Sequence, residues 1–228
     1  MEKGTKRSIN FQDLMLNRIH EILLVASPYD AFILEEDGRL TQQILYEYLG
    51  MNLSYAPRVW HAKSAKNGLK MLADRSYDLV IVMMRITDMD PITFGENVKK
   101  NYPDKPIILL AFDESEISTL PQKRLKKTID KVYIWTGNAN VFPAIIKNVE
   151  DSMNIERDFK IADIRSIVMV EDNPRFYSII LPLIYRTALK HTRSLIDRSL
   201  SDTDRLLLFR ARPKILFCLL YTSDAADE

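Results

Sequence analysis

Histidine, glycine and cysteine are scarce in this chain of 228 residues: three, six and one respectively. The one cysteine, Cys218, leaves no disulfide and no multi-cysteine zinc site. The six glycines form neither a phosphate loop nor a dinucleotide fingerprint. His20, His61 and His191 stand alone, without metal-ligand spacing, and each reads as an ordinary surface or core histidine. Charge of one sign is also missing: 32 Lys and Arg against 31 Asp and Glu give a net +1, which offers no electrostatic case for nucleic acid as a partner. No apolar segment reaches the ~18–20 residues of a membrane span, and Met1 to Asn10 is polar, without the apolar core of a signal peptide. The expected location is therefore the cytoplasm, with no membrane partner.

What is present is ordinary globular material, 46% apolar and 28% charged, enough for one large domain or two of roughly 100–150 residues. The most informative stretch is Tyr77 to Pro91, Y-D-L-V-I-V-M-M-R-I-T-D-M-D-P. Its run Leu79 to Met84 is continuously apolar and rich in β-branched residues. It is bounded by Asp78 and Arg85, as befits a strand buried on both faces of a parallel sheet.

This stretch resembles the third strand and following loop of bacterial response-regulator receiver domains. Asp78, the apolar run, Met89 and Asp90 match the family pattern. The position of the phospho-accepting aspartate carries Met83. A thioether neither attacks phosphorus as an oxyanion nor ligates a hard cation such as magnesium. The resemblance places Ala26 and Ser27 where the family has two magnesium-binding acids, Ala111 where it has a threonine or serine, and Thr136 where it has a lysine. Five replaced positions imply a pseudo-receiver. Ser27 has no histidine or lysine beside it, so a loop hydroxyl is a better reading than a nucleophile.

Taken in order, Phe11 to Arg18 has helical spacing, Glu21 to Ala26 reads as a strand, and Tyr29 to Gly50 as one amphipathic helix stopped by glycine. Arg58 to Ala62 is a weaker strand, and Ser64 caps a helix to about Arg75. A helix from Thr93 to Asn101, a strand Ile107 to Phe112, a strand Lys131 to Trp135 and a last helix to about Asn154 complete the pattern. The basic run Lys123 to Lys127 reads as a solvated helix face, with anion binding the lesser alternative. This alternation predicts an α/β fold: a doubly wound, five-stranded parallel sheet of the receiver or flavodoxin-like type.

A charged stretch, Glu156 to Arg165, then leads to S-I-V-M-V-E-D-N-P at Ser166 to Pro174, which resembles the opening of a second receiver. The resemblance makes Glu171 and Asp172 magnesium ligands in a complete parent, whereas spacing alone favours ordinary loop charges. A helix Phe176 to Leu200 and a strand Pro213 to Phe217 follow. The closing string, Cys218 to Glu228, resembles a translated sequencing adapter and is set aside, which also removes thiol catalysis. The expected organisation is a lead-in at 1–18, a degenerate receiver at 19–155, a linker at 156–165, an incomplete second α/β unit at 166–217 and the adapter-like tail at 218–228.

The resemblance implies a signal-transduction module of a two-component or phosphorelay pathway. Its first domain would bind magnesium not at all and act by protein docking, with a histidine kinase or a fused carboxy-terminal enzyme as partner, or with a second copy as a homodimer. S-P-Y-D-A-F-I-L-E-E-D-G at Ser27 to Gly38 and W-T-G-N-A at Trp135 to Ala139, followed by V-E-D-N-P, are also similar to the amino-terminal region of bacterial proteins ending in a phosphoenolpyruvate synthase or pyruvate phosphate dikinase-like enzyme. In that case the chain is the regulatory front of a phosphotransferase and holds no catalytic residue itself.

Overall fold

The computed structural model describes residues 14–36, 39–50, 56–162, 164–196 and 212–218. The chain folds as two compact units. One, the sheet unit, comprises 19–146 and 171–183; the smaller unit comprises 1–18, 147–170 and 184–228.

The sheet unit holds β1 (Glu21–Val25), β2 (Arg58–Ala62), β3 (Leu79–Met83), β4 (Ile107–Ala111) and β5 (Lys131–Ile134). Their order is β2-β1-β3-β4-β5 and every pairing is parallel. This is the doubly wound α/β architecture that the alternation of strands and helices predicts. All five residues of β3 are buried, as are all five of β4. Each buried Leu, Ile or Val contributes roughly 1.5–3 kcal/mol over its exposed state, so the two central strands carry much of the fold's stability.

Around the sheet run α1 (Pro28–Glu36), α2 (Leu40–Gly50), α3 (Ala65–Asp74), α4 (Pro91–Asn101), the short α5 (Glu114–Ser118) and α6 (Gln122–Thr128). Leu72 of α3, Phe94 and Val98 of α4 and Leu125 of α6 join Leu23, Val25, Val80, Val82, Ile107 and Leu109 in one core layer. Strand alternation turns Ile22, Leu24, Ile81, Met83, Ile108 and Leu110 to the opposite face. Gly68 permits the close approach of α3: a Cβ there would stand 3.0 Å from Val25 Cγ2 and 3.3 Å from Phe94. The basic side chains of α6 face solvent while Leu125 is buried, as its charge pattern predicts.

Several expected boundaries move. The single helix expected over Tyr29 to Gly50 is two helices, because Arg39 takes a left-handed φ of 45° and Glu35 turns to accept from the Thr41 hydroxyl at 2.7 Å. The lead-in helix expected at Phe11 to Arg18 is not helical from Leu14 onward; its Phe11–Asp13 portion lies outside the described residues. Met15 has a φ of 50°, and the Met15 and Asn17 amides donate instead to the side chains of Asp158 and Asn154. Helix α7 (Val141–Ala162) runs past the expected end at Asn154 and takes up most of the charged stretch Glu156 to Arg165. Helix α8 (Pro174–Ile196) passes through Pro182, which forgoes one backbone bond.

The start of α8 closes an edge of the sheet unit. The Tyr177 hydroxyl donates to the Val132 carbonyl, the Ile134 amide donates to Ser178 Oγ at 2.9 Å, and the Tyr133 and Tyr177 rings meet edge to face at 5.5 Å. The outer edge of β5 therefore finds partners in side chains rather than in another strand. On the other side of the helix, Phe176, Ile179, Ile180 and Leu183 are exposed.

In the smaller unit, β6 (Ser166–Val170) pairs in parallel with β7 (Lys214–Cys218). Around them lies a buried ionic cluster. Arg212 donates two bonds to Asp151, at 2.7 and 2.9 Å, and Asp151 also accepts from Tyr185 Oη at 2.9 Å and from the Ile215 amide at 3.0 Å. Lys214 pairs with Asp158 at 2.9 Å, and Lys147 with Glu150 at 2.8 Å. Three cations meet three anions, which offsets the desolvation of groups almost completely removed from water. Asp151→Ala leaves the Arg212 guanidinium buried and uncompensated, so it is expected to cost about 3–5 kcal/mol, whereas Tyr185→Phe, which removes the hydroxyl's bonds to Asp151 and Asn148, costs about 2 kcal/mol. Urea unfolding of wild type and each variant, followed by circular dichroism, measures both.

Candidate functional site

In open parallel sheets ligands bind outside the carboxyl ends of the strands. In the sheet unit that crest is built from the ends of β1, β3, β4 and β5. Pairing of Val25 with Val82, Met83 with Leu110 and Ala111 with Ile134 brings the candidate positions to one end of adjacent strands. Ala26, Met83 and Ala111 are all fully buried. Trp135, also buried, tilts against Phe142 with ring centroids 5.6 Å apart, and Thr136 is exposed. The floor of the crest is thus apolar, and these strand ends carry no carboxylate.

Charge lies at the rim instead. Ser27 Oγ accepts from the Asp30 amide at 3.1 Å, so it serves the first turn of α1 as a capping hydroxyl. Asp30 is itself 1% exposed, and its Oδ2 has no hydrogen-bond partner among the described residues. Burial pushes its carboxyl up from the ordinary range, against the opposing pull of the Ser27 hydrogen bond and of Arg85. Arg85 pairs with Glu116 at 2.7 Å. Asp88 accepts from the Ala65 and Lys66 amides at 2.8 and 3.0 Å, and Asp90 caps α4 through the Thr93 amide at 2.9 Å. In both, desolvation is outweighed by the hydrogen bonds received, and the carboxyls lie below their usual range. The His61 Nε2 lies 2.9 Å from the Ala26 carbonyl, a bond within the sheet edge that makes this histidine structural.

Glu171 and Asp172 follow β6 in the chain. Glu171 is half-buried and its Oε1 accepts from the Asn173 amide at 3.0 Å; Asp172 is exposed. Asn173 caps α8 by accepting from the Arg175 amide at 2.8 Å and donates through Nδ2 to Glu114 Oε1 at 2.8 Å. Among the described residues no cluster of three histidine, cysteine or carboxylate side chains is arranged to hold a metal ion. Magnesium is commonly held by one or two carboxylates with water completing its octahedron. The pair, with one Glu171 oxygen already engaged, fits such a site in part.

The residues that reading along the chain missed are those of the buried cluster. Lys147, Asp151, Asn154 and Asp158 recur at steps of four, three and four along α7, a polar stripe on one helical face. That spacing was the available signal. Their partners Arg212 and Lys214 lie too far along the chain for any local pattern to connect them.

No family model matches the chain, and no curated protein matches it. Solved structures do. The receiver domain of an HD domain-containing protein from Pseudomonas fluorescens Pf-5 is 25% identical over 63% of this chain and 95% of that one, with a TM-score of 0.46. The response regulator TrrA from Thermotoga maritima, solved with magnesium and beryllofluoride, is 19% identical over 57% and 99%, with a TM-score of 0.45. A CheY-like receiver domain protein from Methanospirillum hungatei JF-1 is 19% identical over 60% and 98%, with a TM-score of 0.46.

Asp30 provides a test of the rim electrostatics. Because its folded-state carboxyl is raised, the folded chain holds the proton more tightly than the unfolded chain, and its penalty is felt most above the raised value. Asp30→Asn is therefore expected to raise the melting temperature relative to wild type at pH 7, with the advantage shrinking as pH falls towards about 4. Thermal melts of both proteins across that range check it.

Proposed function

We propose that the chain is a cytoplasmic signal-transduction module whose sheet unit is a degenerate receiver that works by protein docking, not by accepting a phosphoryl group. One observation supports this above all: Met83, in register beside Leu110 at the end of the central strand, is a fully buried thioether where the receiver resemblance calls for a reactive carboxylate. Neither Ala26 nor Ser27 supplies a metal-binding acid next to it. The partners this reading favours are a histidine kinase or an enzyme fused further along the same polypeptide.

In the same reading, Glu171 and Asp172 are magnesium ligands of a second receiver that opens at Ser166. The motifs at Ser27 to Gly38 and Trp135 to Ala139 favour, as the parent, a phosphoenolpyruvate synthase or pyruvate phosphate dikinase-like protein; sequencing the gene beyond the codon of Phe217 tests that choice.

Incubation of the chain with magnesium and a small acyl phosphate is expected to leave no acid-labile phosphoryl adduct between Leu79 and Asp90, as read by mass spectrometry of the peptides. An adduct there would overturn the degenerate-receiver reading. In a protein carrying the complete second receiver, Asp172→Asn is expected to abolish magnesium-dependent phosphorylation, and unchanged labelling would return the acid pair to the status of loop charges.

A further inference from the structure

The seven residues Met84 to Asp90 connect β3 to α4, and six of them are committed to neighbours. Met84, Ile86 and Met89 pack against the core layer. Arg85, Asp88 and Asp90 each reach a different helix. Arg85 donates to Glu116 of α5 through Nε at 2.8 Å and pairs through Nη2 at 2.7 Å, while the other Glu116 oxygen accepts from the Phe112 amide at 3.0 Å. Asp88 takes the Ala65 and Lys66 amides of α3, and Ser64 Oγ takes that of Asn67 at 3.2 Å, so three of the four free amides at this helix start are satisfied. Asp90 takes the Thr93 amide of α4. The two aspartates also place negative charge at helix amino termini, where the dipole favours it. Only Thr87 has neither role, and the loop contains no glycine.

From this alternation of apolar plugs and ionic anchors we infer that the β3–α4 loop is a three-point brace. It holds the starts of α3 and α4 and the β4–α5 turn as one body, so that this end of the sheet keeps a single arrangement instead of alternating between two. The inference rests on the docking reading above and adds a mechanism to it. Arg85 is mostly exposed, and an isolated exposed ion pair contributes little. Here the pair acts on a Glu116 that is 15% exposed and already bonded to backbone, so the link has little freedom to lose.

The test is amide hydrogen exchange of the whole chain, comparing wild type, Arg85→Gln and Asp88→Asn. If the loop is one brace, loss of either anchor accelerates exchange at both ends, at Phe112 and at Ala65 and Lys66, by on the order of tenfold. Arg85→Lys, which keeps the charge but loses the fork, falls between. The wild type is also expected to show no microsecond-to-millisecond exchange in residues 84–90, with or without magnesium and beryllofluoride. Acceleration confined to the mutated anchor's own contact would overturn the brace, as would loop exchange that responds to beryllofluoride. A rigid loop in a chain that binds no partner would defeat the docking reading alone; a mobile loop in a chain that does bind would defeat the brace alone.

Discussion

Burial of β3 and β4 on both faces is the constraint on which the sheet unit depends. The ten positions of these two strands carry only Leu, Ile, Val, Met and Ala, none of them more than 2% exposed. A strand of this kind can satisfy its backbone only between parallel neighbours and its side chains only beneath helices on each side. β1 and β5 flank the central pair, and α3, α4 and α6 cover one face through Leu72, Phe94, Val98 and Leu125. The edges are handled separately: β2 ends the sheet on one side, and Tyr177 and Ser178 satisfy β5 on the other.

The same burial shapes the chemistry of the crest. Where strand ends could have projected carboxylates, they carry Ala26, Met83 and Ala111, and the dry packing of the layer simply continues to its end. Charges are instead placed one loop outward, where each finds a backbone amide or an opposite charge. Asp88, Asp90 and Glu116 all accept from main-chain N–H groups, which makes them structural acids whose oxygens are largely spoken for. Asp30 is the exception, buried with one oxygen unpartnered among the described residues, and burial holds its carboxyl above the ordinary range.

The smaller unit is held together by a different balance. Its two strands offer little apolar burial, with β6 mostly exposed along its length. Asp151 instead gathers Arg212, Tyr185 and the Ile215 amide around one carboxylate. Ion pairs so thoroughly desolvated add less net stability than their short distances suggest. They are demanding about geometry, and they define which part of α7 meets which end of β7.

Much of the sheet unit was legible in the sequence because its signals are local. A continuous apolar run announces a central strand, Ser64 announces a helix start, and strands alternating with helices announce a parallel sheet. The candidate positions Ala26, Met83 and Ala111 could be named for the same reason, since each lies at the end of a recognisable strand. Other features depended on bonds between distant residues. The break at Arg39, the non-helical course of Leu14 to Arg18 and the extension of α7 to Ala162 all run against local periodicity, and in the last two cases Asp158 and Asn154 bond to backbone well over a hundred residues away. The sequence alone determined which residues can form a doubly wound sheet, and that Ala26, Met83 and Ala111 end its strands without a carboxylate. Only the tertiary structure decided where the charges went, because a carboxylate's partner is chosen by proximity in space and the cost of burying it unpaired, and neither is written in its neighbours along the chain.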